Sequence, residues 1–388
     1  MLSRKNNSKI GLKVYIKEHD PLYCGLLKLA CVTDHTDYGV EELQQAVDTF
    51  NYLPDYVKVH QRLLPLLYAK AQHLGIFKQL TERTQQALVQ NLQQGIITEL
   101  AKAKQLKQIL EILSTQHIPV ILLKGVAFSN LLYASDAPRT SNDIDLLVKK
   151  EQWQQAQTAI DAIMVYTQKT IPDVFADAYE VSFKPLSRIG NPLDLHRSLT
   201  HPGLFNITEQ ALWQNSVIHP YFNDTNVRTL SPEQSLIHQA IHAYKDMNFC
   251  KYNLLDSHEI INTLKPDIAL TIEIAKDWGA SVSVYYLLKN CIEIMDSKID
   301  ATLLHSIQPS KLRHYVADKL LRSKFAQPTA TKKPIRYRIN QLISHFVFCG
   351  SIKRAISFQW MFIKIFCNIK RNKLTEKANK FRVLRRSK

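Results

Sequence analysis

Residues 120–150 read VILLKGVAFSNLLYASDAPRTSNDIDLLVKK, and this stretch decides the fold. The run Val120-Ile121-Leu122-Leu123 is short, wholly apolar and stopped by Lys124-Gly125, which predicts a buried strand. About one helix later comes Asp143-Ile144-Asp145-Leu146-Leu147-Val148, predicted as a second strand. Side chains alternate faces along a strand, so Asp143 and Asp145 share one face and Ile144 and Leu146 the other. Two carboxylates side by side repel, and apolar flanks make their ionised forms costly. A metal ion between them removes both costs.

Upstream, Thr84–Gln116 predicts a long helix, with Leu100, Ala103, Leu106, Ile109, Leu110 and Leu113 on one face and a break at Gly95. His117-Ile118-Pro119 closes it, because a residue before proline avoids the helical region. Further upstream, Gly39–Leu74 is helical, punctuated by Pro54 and Gly75, and residues 1–38 carry no clear pattern. Within the central stretch, Gly125–Leu132 predicts a helix and Ser135–Asn142 a loop. Glu151–Ile163 follows the second strand as a helix. Downstream, YEVSFKPL (Tyr179–Leu186) and PLDLHRSL (Pro192–Leu199) alternate around the turn residues Arg188-Ile189-Gly190-Asn191, which reads as a hairpin. Asp194, His196 and Ser198 then share a face.

From about residue 205 the pattern is helical. Ser231-Pro232-Glu233 places a capping serine, a first-turn proline and a first-turn carboxylate at one helix start. Helical segments follow at 252–264, 268–278 and 282–294, and QPTATKK (Gln327–Lys333) reads as a linker.

Asp194, on the returning strand of the hairpin, supplies a third carboxylate for the edge that holds Asp143 and Asp145. Three carboxylates suit two divalent cations roughly 3.5–4 Å apart, clamping the attacking and leaving oxygens of an in-line displacement. Mg2+, or Mn2+ in its place, prefers a few carboxylates plus substrate phosphate oxygens. Lys124-Gly125, where a strand gives way to a helix, offers a point charge and a close backbone approach for phosphates. Arg139 and Ser141 stand just before the aspartates as further phosphate contacts. Each residue also has a purely structural reading. Lys124 can snorkel beside the strand, Arg139 can pair with Asp136 or Asp145, and His196 can be a satisfied sheet-edge histidine. Asp256 can cap or pair between helices. His238 and His242, at i and i+4, have the spacing of zinc ligands but no following glutamate and no third ligand, which favours structural roles.

The order strand–LKG–helix–Arg–DIDLLV–helix–hairpin–DLH resembles the nucleotidyltransferase superfamily typified by DNA polymerase beta. More closely, it resembles a bacterial group of largely uncharacterised nucleotidyltransferases with an LKG…R…DIDLLV…(E/D)LH pattern. The likeness runs over roughly 84–264 and includes LSPEQSLIHQAIHAY (Leu230–Tyr244) and NLLDSHEII (Asn253–Ile261). It implies an α+β fold: a small mixed β-sheet of the polymerase beta type, flanked by helices, with a helical N-terminal segment and a helical C-terminal region. Pattern and charge together divide the chain into a helical region at 1–83, a catalytic core at 84–204, a helical domain at 205–326 and a basic, aromatic-rich amphipathic tail at 327–388. By the same resemblance Asp143 and Asp145 bind metal. Asp194 completes the triad and helps deprotonate an acceptor hydroxyl. The implied reaction moves a nucleoside monophosphate from a nucleoside triphosphate to an acceptor that the sequence does not identify. Two other readings compete: a glycosyltransferase using DxD to hold a metal-bound nucleotide sugar, and an inactive nucleotide-binding or regulatory protein. The pattern departs from the superfamily in Val126 after the glycine, Asn142 before Asp143, and a long Gly125–Asp143 spacing.

Composition sets the bounds. At 388 residues and 45 % apolar content the chain has material for a large core, roughly two to three domains by length. Six scattered cysteines form no CxxC pair, which fits a reducing, cytoplasmic setting. The first twenty residues lack the apolar core of a signal peptide, and no run of 18 apolar residues occurs. The net charge of +16 is concentrated at one end: residues 332–388 hold sixteen of the fifty Lys and Arg but a single acidic residue, Glu376. Three readings of this tail stand open. It lies on an anionic membrane surface as a peripheral anchor, it contacts RNA, or its apolar part packs on the body and leaves the last residues solvated.

Overall fold

The computed structural model describes residues 26–31, 39–52, 62–133, 138–167, 179–186, 190–201, 203–245, 247, 249, 252–321, 335–361 and 363. Most of 1–38, Pro54, Asp136, Arg188 and Ile189, the linker at 327–333 and the tail beyond 363 lie outside them.

Helices α1 (Val40–Tyr52), α2 (Leu64–His73) and α3 (Glu82–Thr115) precede the sheet. Thr81 caps α3 by accepting a hydrogen bond from the Thr84 amide. The helix does not break at Gly95. There Pro65 and Thr140 approach so closely that a Cβ would sit 3.1 Å from the Thr140 methyl, so the glycine serves packing. The predicted apolar face is also displaced at one end. Leu106, Ile109, Leu110 and Leu113 are buried, but Leu100 is 66 % exposed and Lys102 is buried in its stead. This part of α3 faces a polar loop.

β1 (Val120–Leu123) runs into α4 (Lys124–Phe128), a single turn where a longer helix was predicted. The Ser129 hydroxyl donates back to the Gly125 carbonyl at its end. β2 (Ile144–Leu147), α5 (Trp153–Asp161), β3 (Met164–Thr167), β4 (Glu180–Pro185) and β5 (Leu193–His196) follow. Next come α6 (Glu209–Asn215), β6 (Val217–Ile218) and β7 (Val227–Thr229). β3, β6 and β7 are additions to the sequence reading, and β6 and β7 interrupt the stretch from residue 205 that reads as helical; the three are too short and too mixed in composition to stand out as strands. The α-helices that follow are α7 (Pro232–Lys245), α8 (Tyr252–Glu259), α9 (Ile268–Trp278), α10 (Ser281–Glu293), α11 (Lys311–Leu321), α12 (Ile335–Phe348) and α13 (352–361). The α7 start is as expected: Ser231 Oγ accepts from the Gln234 amide at 3.2 Å.

The seven strands form one mixed sheet in the order β3-β4-β5-β2-β1-β7-β6. β2–β5 and β1–β7 are parallel; the other neighbours are antiparallel. β1 and β2 are buried at every residue, which explains why their sequences are apolar runs interrupted by one carboxylate. The predicted α+β class, a mixed sheet flanked by helices, is what the structure shows. One continuous apolar core reaches from Leu26 to Phe358.

Candidate active site

Register builds the site. On the parallel β2–β5 seam, Asp145 is directly opposite Asp194. Asp143, immediately before β2, shares the face of Asp145 by the two-residue period. One carboxylate oxygen from each of the three lies within 4.8 Å of the others. It is the metal-capable cluster found among the described residues. Asp145 is buried, while Asp143 and Asp194 remain partly open. β4 extends the same polar face: Ser182 is opposite Asp194 and donates a hydrogen bond to it, and Glu180 is opposite His196.

β1 and β2 place Leu123 opposite Asp145, so the next residue, Lys124, emerges beside the carboxylate. Its φ of +48° is a strained, left-handed conformation for a lysine, of the kind that concentrates at functional sites. Lys124 Nζ lies 2.9 Å from Asp145 Oδ1, and His196 Nε2 approaches the same oxygen at 2.8 Å. Burial alone would raise the Asp145 carboxyl, but Lys124 and His196 overcome it and hold it well below the usual range. Burial opposes the charge on Lys124 as well, and Asp145 more than compensates, so the ammonium is held firmly protonated. Asp143 goes the other way: burial first, then the charge of Asp145, raise its carboxyl.

That contrast predicts a trade-off. A carboxyl raised by folding opposes the folded state wherever it is ionised, and the penalty disappears as pH falls below the ordinary carboxylate range. Asp143→Asn, melted in chelator at neutral pH, is therefore expected to unfold at higher temperature than the wild type. The difference should vanish in acid. A lower melting temperature across the whole pH range would show that Asp143 is held by contacts outweighing the repulsion.

Arg139 and Ser141, read from sequence as phosphate contacts, are brought behind the triad. Arg139 is buried and makes a two-pronged pair with Asp256 on α8, Nε donating at 2.8 Å. Its guanidinium lies over the Tyr252 ring, and Tyr133 donates to the same aspartate. The described partner of Arg139 is thus Asp256 and not Asp145; Asp136 lies outside the described residues. Ser141 accepts from Lys102 Nζ at 2.7 Å and donates to the Asp143 carbonyl at 3.1 Å, while its amide is held by Glu99. Burial lowers the Lys102 ammonium, and Glu99 offsets part of that. This loop sits against Gly125: a Cβ there would lie 2.6 Å from Ser141 Cβ and 2.8 Å from Arg139 Nη1. The glycine is needed for the loop to seat. Gly125→Ala should cost about 1–3 kcal/mol by overpacking, read by denaturant melts; an unchanged midpoint would mean that the loop has slack.

Sequence reasoning missed Glu99, Lys102, Glu180, Ser182 and the Lys245–Tyr179–Glu180 cluster, in which Lys245 Nζ reaches Tyr179 Oη and lies 3.8 Å from Glu180. The alternation of β4 already put Glu180 and Ser182 on one face; its register against β5 was the missing part. His238 on α7 is buried, with its basicity pushed well down by desolvation.

The donor set suits a hard divalent cation, since all three groups are carboxylates. The raised Asp143 and the ammonium drawn onto Asp145 both mark a surplus of negative charge that such an ion would neutralise. No curated protein matches the chain. A family model described as an uncharacterised nucleotidyltransferase matches residues 56–296. This match spans every strand of the sheet and the whole carboxylate site, and the chain belongs to that nucleotidyltransferase family.

Proposed function

We propose that the protein transfers a nucleoside monophosphate from a nucleoside triphosphate to an acceptor hydroxyl, with release of pyrophosphate. The observation that carries this reading is the in-register pairing of Asp145 with Asp194, with Asp143 alongside on the same face. A DxD pair alone serves many chemistries. A third carboxylate placed opposite its second member serves in-line phosphoryl chemistry. Asp143, Asp145 and Asp194 would hold divalent metal, with Mg2+ the first choice and Mn2+ the second. Bound there, the metal supplies charge neutralisation at the phosphate and lowers the basicity of an attacking oxygen.

The chain's own groups do the rest. Lys124 is placed to leave Asp145 and follow the negative charge of an arriving polyphosphate. His196 holds the buried oxygen of Asp145 in place from the side. Asp194, partly open and oriented by Ser182, is positioned to accept the proton of the acceptor hydroxyl. Arg139 and Ser141 fix the loop that presents Asp143, and this support is their contribution to phosphate binding.

The test is to incubate the protein with each α-labelled triphosphate, divalent metal and a cell extract. Label should pass to one class of acceptor with stoichiometric pyrophosphate. Transfer of a labelled sugar from a nucleotide sugar, with release of nucleoside diphosphate, would overturn the assignment in favour of a glycosyltransferase. Absence of metal-dependent nucleotide binding in calorimetry would favour an inactive relative.

A further inference from the structure

Helices α12 and α13 each carry two apolar faces, and the body covers one of them. On the inner side Val347, Phe348, Ala355 and Phe358 are buried. Phe348 packs its ring on Tyr244, Phe249 and Tyr286, and Phe358 packs on His201. The corner between the helices is pinned by the Gly350 amide, which donates to the Gly279 carbonyl at 2.7 Å. Among the described residues nothing covers the outer side. Ile339, Leu342, Ile343 and Phe346 recur at helical spacing on α12, and Ile352, Ile356 and Trp360 on α13, with Ile363 in register just beyond. These eight side chains are 36–59 % exposed. Large apolar residues clustered this way mark an interaction surface.

We infer that this outer face docks on an anionic lipid surface. Two properties choose the occupant. The first is charge: residues 332–388 carry sixteen Lys and Arg against Glu376 alone, so the face sits in a segment with an excess of fifteen positive charges. A second copy of the same segment would be repelled, and an anionic bilayer attracted. The second is the nature of the apolar side chains. Six of the eight are Ile or Leu, which dissolve in acyl chains but offer no flat surface for stacking on bases, so the face suits lipid better than RNA. The helices lie on the bilayer. α12 has 14 residues against the roughly 20 needed to cross, and no described helix is long and apolar enough to span a membrane.

The test is co-sedimentation of the full chain with vesicles of phosphatidylcholine alone or mixed with phosphatidylglycerol, at low and moderate salt. Binding is expected only to the anionic vesicles. A triple variant, Ile343→Ser, Ile352→Ser and Trp360→Ser, leaves all sixteen cations and the inner face intact. It should bind about tenfold or more weakly, with circular dichroism and melting unchanged. A second readout is the fluorescence of wild type minus Trp360→Phe, in which a blue shift on anionic vesicles reports burial of the Trp360 ring. Undiminished binding of the triple variant would overturn the proposal by assigning attraction to the cations alone. So would a wild-type dimer that becomes monomeric in the variant, or RNA binding lost in the variant without any binding to vesicles.

Discussion

Replacing Asp145 by asparagine is expected to reduce metal-dependent nucleotidyl transfer by about a thousandfold or more. The carboxylate is the buried member of the triad, and two side chains converge on it. One oxygen meets both Lys124 at 2.9 Å and His196 at 2.8 Å. Asparagine keeps the size and one carbonyl oxygen, so the β2–β5 seam should survive. What goes is the charge that would hold a divalent cation and anchor Lys124. Breaking a fully buried pair costs about 3–5 kcal/mol. The Lys124 side chain keeps 20 % of its exposure, so the ammonium can find water and the loss should fall below that range. Label transfer and thermal melting, measured on the same preparation, separate the two effects. Transfer at the wild-type rate by a folded Asp145→Asn protein would remove Asp145 from the reaction.

The largest stability effect is expected at the other end of the aspartate loop. Asp256→Ala strands the Arg139 guanidinium in the interior and removes the acceptor of the Tyr133 hydroxyl. Both Arg139 and Asp256 are almost fully buried, so the loss should reach about 3–5 kcal/mol. The double variant Arg139→Met, Asp256→Leu removes both charges and should recover much of that stability, because a well-packed apolar pair can replace a buried ion pair. Its transfer activity should remain low if the pair sets the position of the loop before Asp143. Denaturant melts of Arg139→Met, Asp256→Leu and the double variant complete the cycle. A double variant no more stable than the singles would show that packing, and not the charge pair, holds α8 to the loop.

Legibility in the sequence followed the range of the interaction. The DxD face, the buried strand before Lys124 and the Ser231 cap are local, set by two-residue alternation or by one turn of helix, and each is where the sequence places it. The pairing of Asp145 with Asp194 depends on register across fifty residues, which alternation narrows to one face without fixing the partner. Arg139 and Asp256, 117 residues apart, have no local signature at all. Lys102 is a further case: a lysine on an amphipathic helix reads as solvated, and only the polar loop packed on α3 draws it inside. The motif residues were therefore visible, and the groups that hold them were not.

The position of β5 has a consequence for how the protein comes into being. β5 lies between β2 and β4, parallel to one and antiparallel to the other. A parallel neighbour must wait for a crossover, here the whole span through α5, β3 and β4, before the seam can close. A growing chain that has emerged only to residue 150 exposes its two aspartates with no third to meet them. The triad thus requires a chain that has reached β5 and closed the β2–β5 seam. Any ion that needs all three carboxylates then binds folded molecules and not unfolded ones, and by mass action it protects them, by about 2.7 kcal/mol at a hundred times its dissociation constant. The seam that makes the site is, for the same reason, the part of the molecule that occupancy would guard against opening.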